Sequence, residues 1–168
     1  QVTDSNNCIS QQQFSVFEPS TLTLSLQAND ISCYGMSDGS ILSAVSGGNG
    51  GYSYSWSNSD ITASTDSLDV GIYSLTVVDV NNCSVIDYGI INQPNAMYAT
   101  INATDVNCNS GTDGMIDITI SGGVLPYVFS WNNGSISEDL QNVSAGIYTV
   151  SILDNNNCLL SLSDTIEQ

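Results

Sequence analysis

The chain has 168 residues, 17 of them acidic, with no lysine, arginine or histidine, and a formal net charge of −17. Without basic groups it cannot neutralise phosphates or be drawn to an anionic membrane surface, so nucleic-acid binding and electrostatic membrane association are excluded. The same absences remove the Ser-His-Asp triad, imidazole metal ligands and lysine Schiff bases. Hydrophobic residues make up 41% of the chain, enough to bury a core, so the polar, Ser- and Asn-rich composition does not read as disorder. No run of apolar residues is long enough for a membrane span. Five cysteines in an otherwise unreactive setting fit an oxidising, extracellular compartment.

The first residues, Val2-Thr3-Asp4-Ser5-Asn6-Asn7-Cys8, return as Val77-Val78-Asp79-Val80-Asn81-Asn82-Cys83 and Ile152-Leu153-Asp154-Asn155-Asn156-Asn157-Cys158. The spacing is 75 residues each time, and such a period decides the architecture before any local reading. Residues 19–93 align with 94–168 without a gap, and 24 positions are identical. These are mostly glycines, cysteines and aromatics, which set turns, cross-links and core, so the likeness is one of fold. The expected organisation is therefore residues 1–19 as the tail of a preceding repeat, then full repeats at 20–94 and 95–168. Short linkers, Phe17-Glu18-Pro19 and Asn92-Gln93-Pro94, each carry a proline that stiffens the joint.

Within each repeat the apolar period is two, the pattern of half-buried antiparallel strands. Ile41, Ser43 and Val45 share a face, as do Ile116, Ile118 and Ile120. Tyr52, Tyr54 and Trp56 are matched by Tyr127, Phe129 and Trp131, and Tyr73, Leu75 and Val77 by Tyr148, Val150 and Ile152. Turn signals separate the runs at Asp38-Gly39, Gly47 to Gly51, Asn133-Gly134 and Asp79 to Asn82. About seven short strands per repeat read as a small immunoglobulin-like β-sandwich, and the fold class is all-β, a tandem of such 75-residue repeats. Gly71-Ile72-Tyr73 leads into a late strand, where the tyrosine hydroxyl can tie back the preceding corner.

A domain this small buries only about 60% of its unfolded surface, so a cross-link per repeat is expected. One closing a 50-residue loop contributes about 4 kcal/mol in the chain-entropy model. Two schemes fit the alternating spacing. Cys33–Cys83 with Cys108–Cys158 would brace each repeat, and is preferred because each domain must fold alone. Cys8–Cys33 with Cys83–Cys108 would brace the junctions instead. In an immunoglobulin topology Cys33 and Cys83 can fall at opposite poles, which keeps the second scheme open.

As an ordered set, Cys, Asp-Gly-Ser-Ile, Ser-Gly-Gly, Tyr-x-Tyr-x-Trp, Gly-x-Tyr and Asp-x-x-x-Cys resembles the SprB repeat of giant surface adhesins in gliding Bacteroidota. The resemblance covers the whole chain, counting the partial repeat. It implies export by the type IX system and display on the cell surface as long filaments, in which the repeats form stalk. The copies differ at Gly51, where the second has Pro126, and at Ser59, where it has Gly134.

Few side chains suggest chemistry. Asp79 and Asn81, with Asp154 and Asn156, offer alternating oxygen ligands that suit Ca²⁺, the one cofactor the sequence raises. The competing reading is a tight turn in which Asp and Asn bond their own backbone. Tyr52, Tyr54 and Trp56 could stack on sugars, but their strict alternation places them in a core. Ser67 in Asp66-Ser67-Leu68 and Thr165 in Asp164-Thr165-Ile166 match, through the resemblance, a short O-glycosylation pattern. Glu18, Glu138 and Glu167 form no carboxylate pair shared by the copies, so no catalysis is expected. The functional expectation is a structural stalk segment of a secreted adhesin or filament, partnered by neighbouring repeats of the same chain. The alternatives are a glycan- or protein-binding module, with surface glycans or lateral filaments as partners, or an accessory segment of a secreted enzyme.

Overall fold

The computed structural model describes residues 1–168. It opens on a short hairpin of two-residue strands, β1 (Val2–Thr3) with β2 (Ile9–Ser10), whose residues are all exposed. Two β-sandwiches follow. The first holds β3 (Thr23–Asn29), β4 (Gly39–Ser46), β5 (Ser53–Trp56), β6 (Ser64–Leu68), β7 (Gly71–Val78) and β8 (Ser84–Ile91). The second holds β9 (Tyr98–Thr104), β10 (Gly114–Ser121), β11 (Val128–Trp131), β12 (Leu140–Val143), β13 (Gly146–Leu153) and β14 (Leu159–Ile166).

Each sandwich packs two three-stranded antiparallel sheets, ordered β3-β4-β6 and β5-β7-β8 in the first and β9-β10-β12 and β11-β13-β14 in the second. This is the immunoglobulin arrangement in its smallest form. There are six strands per sandwich rather than about seven. The seven residues from Ser57 to Ala63 must cross from one sheet to the other. They are spent on a turn in which Ser59 N–H donates to Trp56 C=O at 3.0 Å and Ser59 takes a φ of 78°.

The apolar alternation becomes the inner faces. Ile41, Trp56, Leu68, Leu75, Val77 and Ile91 are buried with Ile31 in the first core. The second core is larger, with eleven buried residues that include Ile116, Phe129, Trp131, Val150 and Ile152. The two cores share no residue, so each sandwich closes on its own apolar set. The aromatic polar atoms are satisfied as burial demands. Trp56 Nε1 donates to Thr62 C=O and Trp131 Nε1 to Ser137 C=O, both at 2.9 Å. Tyr73 Oη donates to Asp69 C=O at 3.1 Å and Tyr148 Oη to Ser144 C=O at 2.9 Å, the corner tie expected from Gly-Ile-Tyr.

Strand direction fixes the poles. In the first sandwich Gly71 pairs with Ile91 at one end of the β7–β8 hairpin and Val78 pairs with Ser84 at the other. Cys33 lies at the first end, in the loop after β3, since Ile31 N–H donates to Asn92 C=O. Cys83 lies at the opposite end, in the hairpin tip. Eight residues of strand, about 27 Å, separate them.

Candidate functional site, the joint between the two sandwiches

The motifs common to both copies converge on one pole of each sandwich. At Gly47 and Gly122 the backbone is left-handed, with φ of 79° and 78°. A Cβ there would stand 1.9 Å from the carbonyl oxygen of Thr21 or Ala96 in the incoming linker. Only glycine lets the linker pass this close. The next amide fastens it: Gly48 N–H donates to Ser20 C=O at 2.7 Å, and Gly123 N–H to Asn95 C=O at 2.9 Å.

The Asp-x-x-x-Cys tip completes this pole. Asp79 Oδ1 accepts the N–H groups of Asn81 and Cys83, both at 2.9 Å, and its Oδ2 accepts Asn49 N–H at 3.0 Å. Asp154 Oδ1 likewise accepts Asn156 N–H at 2.8 Å and Cys158 N–H at 2.9 Å, and its Oδ2 accepts Val124 N–H at 2.9 Å. Asp4 repeats the Oδ1 pair with Asn6 and Cys8. The last asparagine before each cysteine, Asn7, Asn82 and Asn157, takes a φ between 61° and 63°, a conformation asparagine tolerates. Asp79 and Asp154 are buried at 4% and 3% exposure. Their carboxylates form a turn whose oxygens are taken by amides. A cation at these positions would compete with those amide donors for the same oxygens. Asn156 is also engaged elsewhere, as described next, and Asn81 is exposed.

The joint sets the far pole of the first sandwich against this pole of the second. Cys33 and Cys158 form a disulfide with a Cα–Cα distance of 5.6 Å, and 125 residues separate them in sequence. Beside it, Asn156 Nδ2 donates to Ser32 C=O at 2.8 Å. The Cys33 loop is held on its own side. Ser32 N–H donates to Asp38 Oδ1 at 3.0 Å, Ser32 Oγ donates to the same carboxylate, and Gly35 N–H donates to Gln93 Oε1 at 2.9 Å. A cleft of about 500 Å³ opens next to the disulfide, with Tyr34, Met36, Met97 and Leu160 on its walls.

This pairing corrects both expected schemes. Cys33 is bonded to Cys158 rather than to Cys83 or Cys8, and Cys8, Cys83 and Cys108 are free and exposed. The reason is the pole argument. Cys33–Cys83 and Cys108–Cys158 would each have to bridge the length of a strand, far beyond disulfide reach. Cys83 and Cys108 lie at the two outer poles of the pair of sandwiches, one sandwich farther apart still.

The remaining candidates are dispersed. Ser67 is exposed on β6 with a φ of 55°, where the β4–β6 register shifts, and its Oγ donates to Asp66 Oδ1 at 3.0 Å. Thr165 is exposed on the edge strand β14. Asp139, next to Glu138, accepts Ile118 N–H at 2.9 Å and so closes the second sheet. The alternating aromatics face inward, with Trp56 and Trp131 buried and Tyr52 and Tyr127 donating to Gly47 and Gly122 C=O at 2.5 Å.

Residues 25–60 and 100–136 match the family model of the SprB repeat. The matched segments run from the first strand through the crossover turn of each sandwich. They contain the Cys33 and Cys108 loops and both Ser-Gly-Gly turns, while the Asp79 to Cys83 and Asp154 to Cys158 tips lie outside them. SprB repeats belong to cell-surface proteins, and a disulfide fits the oxidising exterior. No curated protein matches the chain in sequence. Among solved structures the chain is similar to one described as "Structural basis for Dscam isoform specificity", with 13% identity and a TM-score of 0.35. That alignment covers 76% of this chain and 40% of the other, so the chain spans less than half its length. The immunoglobulin-like arrangement of the two sandwiches rests on their strand order, independently of this likeness.

The tip carboxylates carry a pH prediction. The Asn49 amide holds Asp79 below the ordinary value of 3.8, helped by the Cys83 and Asn81 amides and opposed by burial. For Asp154 burial raises the pKa, but the amides of Cys158, Val124 and Asn156 outweigh it and the net direction is down. A lowered folded pKa contributes stability that is complete above the ordinary carboxylate value and lost as pH falls through the lowered one. The melting temperature should therefore be flat from neutrality to about pH 5 and fall steeply below about pH 4. Asp79→Asn with Asp154→Asn should lower it at pH 7 and flatten the acid limb, and chelating divalent cations at pH 7 should leave it unchanged. An unaltered acid limb in the double variant, or a drop on chelation, would count against the turn role.

Proposed function

We propose that this chain is a load-bearing stalk segment of a large secreted cell-surface adhesin or filament. Its setting is the outer surface of a bacterium of the Bacteroidota, with export by the type IX system. The carrying observation is that the one disulfide joins one sandwich to the next instead of bracing either alone. A binding module needs a presented side-chain surface, whereas the features shared by both copies are spent on linkers, tips and the cross-link. The uniform negative charge keeps strung copies soluble and apart. Each repeat advances the rod by roughly 35–40 Å, a strand length plus a linker.

Small-angle scattering tests the stiff joint. The oxidised protein should give one narrow distribution of distances between the sandwiches. Reduction, or Cys33→Ser, should broaden it while circular dichroism keeps the β-sheet signal. Identical distributions in both states would remove the mechanical reading. Saturable binding of a glycan by the oxidised two-sandwich protein would favour the binding module instead.

A further inference from the structure

Two free cysteines mark the outer poles of the pair of sandwiches. Cys108 stands 75 positions after Cys33, and Cys83 stands 75 positions before Cys158. Each therefore repeats one half of the disulfide at the joint, and both are exposed. The surroundings are repeated as well. Asp113 accepts Asn107 N–H at 3.2 Å and the Asn107 side-chain amide, as Asp38 does for Ser32. Gly111 N–H donates to Cys108 C=O at 2.8 Å where Met36 N–H donates to Cys33 C=O at 3.1 Å. Ser110 has a φ of 66° where Gly35 has 76°. At the other pole the Asp79 turn matches the Asp154 turn bond for bond, and Asn81 stands where Asn156 reaches across the joint.

We propose that the Cys108 pole of one copy docks on the Cys83 pole of a second copy and forms a disulfide there, repeating the Cys33–Cys158 joint end to end. The same fit would place Asn81 against the Asn107 carbonyl of the second copy, as Asn156 lies against Ser32. The inference rests on the joint of the stalk reading, but that reading survives its failure, since a stalk needs only the internal cross-link.

The chemistry is thiol–disulfide exchange with a small-molecule disulfide, taken here as oxidised glutathione. The Cys83 thiolate attacks it, forming a mixed disulfide and releasing one reduced glutathione. The Cys108 thiolate of the other copy then attacks the Cys83 sulfur and expels the second glutathione thiolate. Two protein thiols lose two electrons and two protons, and one glutathione disulfide becomes two thiols.

The test uses the full chain in a Cys8→Ser background, since Cys8 presents the same tip turn. One variant adds Cys83→Ser and keeps only Cys108 free; the other adds Cys108→Ser and keeps only Cys83. They are incubated separately and mixed, at high protein concentration, with glutathione buffer and enough salt to screen the like charge. Disulfide dimers on non-reducing gels should form in the mixture and be lost from either variant alone. Cleavage after acidic residues should give a Cys83–Cys108 peptide pair. Dimers of a single variant as abundant as those of the mixture would overturn the proposal, as would a mixture that stays monomeric with glutathione-capped cysteines. Recovery of the Cys33–Cys158 pair from every variant shows that the internal joint, and with it the stalk reading, is untouched by either result.

Discussion

Pulled by its two ends, the oxidised chain should stop lengthening at about 150 Å, while the reduced chain should reach about 580 Å. The disulfide is a mechanical bypass. Load entering from residue 1 reaches Cys33, crosses to Cys158 and leaves toward residue 168, so the 125 intervening steps of backbone carry none of it. Only the residues before Cys33 and after Cys158 can unravel, and of the sandwich strands these hold β3 and β14. Strands β4 to β8 and β9 to β13 lie inside the loop and stay folded under load. Disulfides within each repeat would instead leave about 240 Å of extension, so single-molecule pulling separates the two arrangements. A fully oxidised chain that lengthens as far as the reduced one would rule out the bypass.

Trp131→Ala should unfold or nearly unfold the second sandwich and leave the first intact. Trp131 is 4% exposed among eleven core residues, and its indole N–H is bonded. Removing such a side chain costs about 3–5 kcal/mol, a large share of the stability of so small a domain. The chain has two tryptophans, one in each core, so in this variant Trp56 is the sole reporter and sits in the other sandwich. Its emission should stay that of a buried indole, with an unchanged melting transition, while about half of the β-sheet dichroism is lost. A red-shifted Trp56 would mean that the two cores fold as one unit.

Much of this architecture was legible in the sequence because a period of two, turn residues and a 75-residue return are local signals. Ile41, Trp56, Leu75 and Val150 were placed inside from alternation alone, and Tyr73 and Tyr148 tie their corners as Gly-x-Tyr suggested. The strand count was overestimated because pattern cannot tell a short crossover such as Ser57 to Ala63 from a strand. The disulfide was misplaced for a different reason. Spacing along the chain gives loop length but not which pole a loop occupies. Cys33 and Cys83 are 50 residues apart in sequence yet at opposite ends of β8, whereas Cys33 and Cys158 meet only because the sandwiches stack end to end. The signal that could have found this pair was present: Cys33 follows the first strand of its repeat and Cys158 sits in a late hairpin tip, positions that strand direction sends to facing poles. Asp79 was legible as a turn former through its asparagines. Its bond to Asn49, 30 residues away, needed the fold.

The joint is probed most directly by non-reducing peptide mapping of the oxidised protein. Cleavage after acidic residues separates all five cysteines. A peptide pair containing Cys33 and Cys158 is expected, with Cys8, Cys83 and Cys108 recovered as thiols from monomeric protein. A Cys33–Cys83 pair, with Cys108 joined to Cys158, would contradict it.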